Sequence, residues 1–321
     1  MNQITTLSTV YHARRPGVLG VHSLDHFALS VPDLAVARDY YQSFGLDVRE
    51  HGNRLELRTF GSDHIWGRLS EGGRKAIGHV SFGCYADDID RFRQRLEELG
   101  VVRLDPPPDQ ETNGLWFRDP HGQLVEIRVA EKVMPDSKAP IVGIDVAAGQ
   151  RGAPMRGTTG PVQPRRLAHA LCFSPDVAGS IRFYAAALGL RLSDHPGPVA
   201  FMHGPHGSDH HLMAFAMSSD GIGYHHSAWD VSSINEVGLG AMQMADRGHR
   251  RGWGLGRHVL GSNFFHYVRD PWGSYAEYSF DIDYVPVDQE WEASYPAPEN
   301  SLYLWGPDAP SDFIVNHEAI R

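Results

Sequence analysis

The sequence predicts an α+β chain built from four strand–helix–strands units that pair into two similar domains. Three observations carry that prediction. The chain repeats itself at an offset of about 143 residues, from His26 to His169; a further pair of matching blocks follows in each copy; and each copy closes on the same Asp-Pro-x-Gly turn.

In the first block, Leu24-Asp25-His26-Phe27-Ala28-Leu29 leads through Pro32-Asp33 to Tyr40-Tyr41 and Gly45-Leu46. Its counterpart runs from Leu167-Ala168-His169-Ala170-Leu171-Cys172 through Pro175-Asp176 to Phe183-Tyr184 and Gly189-Leu190. Each reads as a strand followed by a helix. Ala37, Tyr40, Tyr41 and Phe44 share one helical face, as do Val177, Ile181, Tyr184, Ala185 and Leu188. Asp33 and Asp176 stand near the helix starts, where a carboxylate accepts the free N–H groups. In the next pair of blocks Gly78-His79-Val80-Ser81-Phe82 matches His225-His226-Ser227-Ala228-Trp229, with helices expected near 88–99 and 232–246. Trp116-Phe117-Arg118-Asp119-Pro120-His121-Gly122 through Glu126 then matches Tyr267-Val268-Arg269-Asp270-Pro271-Trp272-Gly273 through Glu277, two strands about a turn. The expected divisions are an N-terminal extension (1–21), a first domain (22–130), a Pro- and Gly-rich linker (131–164), a second domain (165–285) and a tail (286–321) packing on the second domain.

Composition removes several functions. A formal charge of -10 argues against a general binder of nucleic acid or anionic membranes. No stretch of roughly 18 apolar residues would span a bilayer, and no secretory leader is visible. The only cysteines, Cys84 and Cys172, form no CxxC and suit a reducing cytoplasm. Histidine is the surplus, 19 residues of 321, which points to metal or acid–base chemistry.

The repeat turns that surplus into positions. His169 lies on the first strand of its unit, His226 on the first strand of the next, and Glu277 on the strand after the Asp-Pro turn. If equivalent strands pack equivalently, the three side chains point into one cavity. Two imidazoles and a carboxylate leave three octahedral positions open, the set expected of a non-haem Fe(II) oxygenase. Taken singly, each reads more readily as an ordinary core or surface residue than as a ligand.

A longer motif supports the set. Gly256-Arg257-His258, seven residues, then His266-Tyr267-Val268-Arg269-Asp270-Pro271-Trp272-Gly273-Ser274-Tyr275-Ala276-Glu277 resembles the signature of type I extradiol (catechol ring-cleavage) dioxygenases of the vicinal oxygen chelate superfamily. His266 departs from it, standing where the pattern prefers an apolar residue. The resemblance covers about residues 22–305. It implies βαβββ modules, with each domain an incomplete mixed β-barrel and the helices outside. It implies His169, His226 and Glu277 as ligands of Fe(II), with Mn(II) as the other ion the set accepts. It further implies His211 as the acid/base, and His258 and Tyr267 as hydrogen-bonding partners of substrate oxygen. The substrates would be a catechol and O2, the reaction meta cleavage to a 2-hydroxymuconic-semialdehyde-type product, and the assembly a homo-oligomer. His210 and His225 are expected to be structural neighbours. Relatives that act on acidic catechols place arginines before Gly-Arg-His and in the tail. Here Trp253 and Leu302-Tyr303 stand near those positions, which favours an uncharged, alkyl- or aryl-substituted catechol. Two other readings belong to the same superfamily: a glyoxalase-like lyase or isomerase, and a small-molecule binding protein.

The first domain repeats the ligand types as His26, His79 and Glu126 but not their surroundings. Ile65 stands where His211 does, Trp116 replaces Tyr267, and Pro106-Pro107-Pro108 offers no counterpart of His258. That domain is expected to be non-catalytic.

Overall fold

The computed structural model describes residues 13–108, 110, 114–141 and 146–319; residues 1–12 of the expected N-terminal extension and 320–321 of the tail lie outside them. The first half holds β1 (Ser23–Val31), α1 (Leu34–Phe44), β2 (Asp47–His51), β3 (Arg54–Arg58) and β4 (Gly67–Glu71), then β5 (Ala76–Cys84), α2 (Ile89–Glu98), β6 (Arg103–Leu104), β7 (Leu115–Arg118) and β8 (Leu124–Val129). These are two βαβββ modules. The second half repeats them as β9 (Arg166–Ser174), α3 (Val177–Leu188), β10 (Arg191–Asp194), β11 (Val199–His203), a short β12 (Ser208–Asp209) and β13 (Met213–Met217), then β14 (Gly223–Asp230), α4 (Ile234–Asp246), β15 (Gly252–Arg257), β16 (Phe264–Arg269) and β17 (Tyr275–Phe280). A last short strand, β18 (Tyr284–Val285), pairs with β12.

Each half forms one open mixed sheet, in the orders β2-β3-β4-β1-β5-β8-β7-β6 and β10-β11-β13-β9-β14-β17-β16-β15. The two modules of a sheet join through an antiparallel pair, β1 with β5 and β9 with β14. Neither sheet closes, so each is an incomplete barrel with a concave face. Among the described residues no helix is long and apolar enough to cross a membrane.

Strand alternation divides the two faces. On β1, Phe27, Leu29 and Val31 join the main hydrophobic core while His26 turns to the other side. On β9, Ala170 and Cys172 do the same while His169, Leu171 and Phe173 face a separate hollow. The core-side faces of the two sheets meet, with Phe27 packed on Tyr224 and Trp229. Helices outside the barrels seal this seam. Tyr40 of α1 donates to Val268 O (2.7 Å), Tyr278 donates to Phe44 O (2.8 Å), and the Phe44 and Tyr278 rings stack at 3.9 Å. Burying Phe44 contributes about 1.5–3 kcal/mol and the ring stack about 1 kcal/mol more, so burial holds the seam first.

The helix ends follow the sequence. Asp33 accepts from Ala35 and Val36 N–H, and Asp176 from Gly179 N–H. Both helices end on a left-handed glycine, Gly45 (φ 100°) and Gly189 (φ 74°). A Cβ at Gly45 would lie 2.1 Å from Val162 O, so the cap is also where the connecting segment docks. On α3 the buried face differs from the expectation. Val177, Tyr184 and Leu188 are buried and Ile181 half-buried, but Ala185 is exposed and Ser180 and Ala187 are buried instead. Ser180 is buried because its hydroxyl pairs with Ser174 Oγ (2.8 Å), a contact invisible to hydrophobic periodicity.

The tail contacts the second domain through Trp253 Nε1 to Pro307 O (2.8 Å) and Arg257 N to Trp305 O (2.9 Å). Its last turn goes further and reaches the first domain. Glu318 accepts from Ile77 N–H (2.9 Å) and pairs with Lys75 (3.1 Å).

Candidate metal centre and active site

Sheet register sets the centre. His169 on β9, Ala228 on β14, Glu277 on β17 and Tyr267 on β16 are direct partners across four adjacent strands. His226 lies two residues before Ala228 and therefore on the same face. The three ligand-type side chains converge accordingly. His169 Nε2 and His226 Nε2 are 3.3 Å apart, and Glu277 Oε2 lies 3.5 and 3.4 Å from them. Ligand atoms about 2.1 Å from one ion, at right angles, would stand about 3.0 Å apart, so this spacing fits one face of an octahedron.

The donors also fit a cation. Glu277 is fully buried, and its Oε2 has no hydrogen-bond partner among the described residues. An unpaired buried carboxylate oxygen is costly unless an ion completes it. Its other oxygen accepts from Asn263 Nδ2 (3.0 Å), which holds the carboxylate plane. His226 is aimed by its neighbour. Phe313 O can only accept, so His225 Nε2 donates to it (2.7 Å). His225 Nδ1 is then left to accept from His226 Nδ1–H (2.7 Å), which turns the His226 Nε2 lone pair to the triad. Burial keeps both rings neutral, lowering His225 to about 4 and His226 well below the ordinary imidazole value.

The remaining sequence-predicted residues surround this centre. The His211 ring lies 3.9 Å from that of His169 and on the same cavity wall. Burial, and then the neighbouring His169, His210, His226 and His258, lower its pKa well below the ordinary value, so the ring is neutral. Leu302 O accepts from His258 Nδ1–H (2.6 Å), leaving His258 Nε2 to accept from Tyr267 Oη–H (3.0 Å). Burial raises the Tyr267 phenol well above 10. His266, the departure from the motif, is half-buried on β16 and is not among the residues lining the cavity.

The sequence gives His210 and His225 as structural neighbours and offers no sign of Asn263 or Asp194. His225 and Asn263 hold the ligands. Asp194 Oδ2 accepts from His210 Nε2 (2.6 Å), and His210 Nδ1 faces His211 Nδ1 at 3.1 Å, so the two rings share one proton. Burial works to raise Asp194, but the hydrogen bonds from His210 and Ser294 hold it below its ordinary value. The His-His doublets were the available signal; their partners come from distant strands and the tail.

The cavity, of about 180 Å³, is walled by Leu171, Pro198, Val199, Phe201, Leu302 and Phe313, and among the described residues no Lys or Arg lines it. Trp253 is buried and stacks on Tyr267 at 5.5 Å. Arg250 and Arg251 line a different hollow, with His249 and Trp272.

Paired βαβββ sheets, one carrying two histidines and a glutamate that converge beside a third buried histidine, are the architecture of a metal-dependent enzyme class. The chain belongs to the Glyoxalase/Bleomycin resistance protein/Dioxygenase superfamily, whose family model matches residues 23–127 and 166–278, and within it to the extradiol dioxygenases. It is 50% identical over 300 residues to Metapyrocatechase 2 of Cupriavidus necator, covering 93% of each chain. Among solved structures it resembles the Mn(II)-bound glyoxalase of Novosphingobium aromaticivorans (TM-score 0.72, 24% identity, 92% of this chain and 94% of that one). It resembles equally an extradiol ring-cleaving dioxygenase of B. fuscum (TM-score 0.72, 21% identity, 94% and 84%). These two likenesses concern the fold.

Proposed function

We propose that the protein is a divalent-metal extradiol dioxygenase that cleaves an uncharged, alkyl- or aryl-substituted catechol beside its diol, with O2 as co-substrate and a 2-hydroxymuconic-semialdehyde-type product. The observation that carries this is the unpartnered Glu277 Oε2 facing two histidine Nε2 atoms, with His211, His258 and Tyr267 around one apolar cavity. The relationship to Metapyrocatechase 2 supports the reaction class.

His169, His226 and Glu277 would hold the ion, Fe(II) or Mn(II), both of which suit two imidazoles and a carboxylate. When bound, that ion lowers the pKa of catechol hydroxyls and brings substrate and O2 together. The chain's own residues do the rest. His211, neutral and buried, takes a proton at its ring nitrogen and returns it to oxygen as the ring opens. Tyr267, its hydroxyl proton engaged by His258, presents oxygen lone pairs to a substrate hydroxyl and holds it in register. Leu302, Phe313 and the walls of β11 and β13 exclude water. Among the described residues no cationic side chain lines the cavity, which favours an uncharged ring substituent, since a carboxylate there would be buried without a partner. The two buried free thiols, Cys84 and Cys172, support a reducing compartment such as the cytoplasm.

The test is anaerobic loading with Fe(II) or Mn(II), then a panel of catechols with oxygen uptake and the yellow ring-fission product followed together. Uncharged alkyl- and aryl-catechols should outrun carboxylated ones by more than about tenfold in kcat/KM, which is about 1.4 kcal/mol. Tight catechol binding without oxygen uptake in metal-loaded protein would reject the reaction.

A further inference from the structure

The first domain keeps a second triad at the same strand positions, with Glu126 Oε2 accepting from Ser81 Oγ (2.5 Å). His26 Nε2 and His79 Nε2 are 3.2 Å apart, and Glu126 completes a buried cluster whose ligand atoms all lie within 4.8 Å. The register is the same: His26, Ser81, Glu126 and Trp116 are direct partners across β1, β5, β8 and β7. His26 is the better prepared of the two strand-leading histidines. Asp25 Oδ2 lies 2.7 Å from its Nδ1 and can only accept, so the Nε2 lone pair points into the cluster. His169 Nδ1 has no such partner among the described residues.

A cation already uses that lone pair. Arg68 NH1 stands 3.0 Å from His26 Nε2 and donates to Gln110 Oε1 at 2.7 Å. Arg68 enters from β4, opposite Ala28. The corresponding residue of the second domain, opposite Leu171 on β13, is Ala214, whose methyl group carries no charge to set against the triad. A guanidinium stays charged and carries donors only, so it meets the lone pair that a metal would take and repels a second positive charge.

We infer that the His26–His79–Glu126 cluster is a second divalent-metal site whose metal position is taken by the Arg68 guanidinium, which holds the chain to one ion. The arginine is an internal substitute for the metal, and its removal recreates the open arrangement of the second domain.

The probe is Mn(II), titrated into metal-free protein and followed by the spin resonance of the free ion and by calorimetry. Wild type should bind one ion per chain. Arg68→Ala and the shape-preserving Arg68→Gln should bind two, the new site at least tenfold tighter than anything the first domain shows in wild type. Adding His79→Ala should return the count to one. With Glu277→Ala as background the counts should run from none to one, which separates this site from the second domain's. Two ions in wild type, or one ion in either folded Arg68 variant, would overturn the inference.

Discussion

The two domains present the same three ligand types at the same strand positions and differ in what surrounds them. In the second, an apolar hollow carrying His211, His258 and Tyr267 opens beside the triad. In the first, Trp116 occupies the Tyr267 position and packs against His79 at 4.8 Å, while Arg68 fills the approach. Even the aiming of the histidines differs. Asp25 orients His26 where the second domain has Ala168, and His225 orients His226 where the first has Gly78. A triad of ligand types therefore does not by itself make an open site. The neighbouring strand positions decide whether it faces an arginine or a substrate.

The largest expected effect tests that asymmetry. Glu277→Ala should abolish tight metal binding, a loss beyond about 100-fold, because it exceeds what outer partners of ligands contribute. Glu126→Ala should leave metal content and turnover near wild type. Metal analysis and oxygen uptake on both variants check the pair, and equal losses would erase the distinction. Next comes His211→Phe, which preserves ring volume but removes the proton carrier. Metal content and catechol affinity should hold while kcat falls about 100- to 10,000-fold. Full turnover in that variant would remove His211 from the mechanism.

Much of this was legible in sequence because strand register is periodic. Once the two copies are aligned, His169, His226 and Glu277 must share a face, and so must Tyr267. The βαβββ order and the helix caps at Asp33 and Asp176 follow from equally local signals. What stayed hidden depends on partners that no local pattern encodes. His225 earns its role from a backbone carbonyl, Phe313 O, 88 residues away in the tail. Arg68 reads as an ordinary strand arginine until β4 is seen beside β1. Ser180 is buried because Ser174 satisfies it.

The third effect is smaller. His225→Phe removes the acceptor that turns His226 toward the ion, and metal affinity should weaken about 10- to 100-fold. His225→Asn, which still offers an amide acceptor, should recover part of it. Calorimetric titration with Mn(II) reads both, and unchanged affinity would make His225 a bystander.

The smallest effect concerns the seam that both domains share. His206, in the second domain, accepts from Arg15 N–H (3.1 Å) and donates to Gly20 O (3.1 Å), clasping the chain that enters the first. His22 donates to Ala130 O (3.2 Å) at the other end of that domain. Burial lowers both from 6.5 to about 4. Between those values the unfolded chain binds more protons than the folded one, so stability must rise with pH across that window. Run downward, folding free energy should decline by at most about 1.4 kcal/mol per pH unit for each histidine, and the decline should level off below about pH 4. Denaturant unfolding at about pH 7.5 and pH 5 measures it. His206→Gln, neutral at both, should show a shallower decline while metal content at pH 7.5 stays unchanged, because the clasp lies away from either triad. An equally steep decline in that variant would place the acid-sensitive group elsewhere.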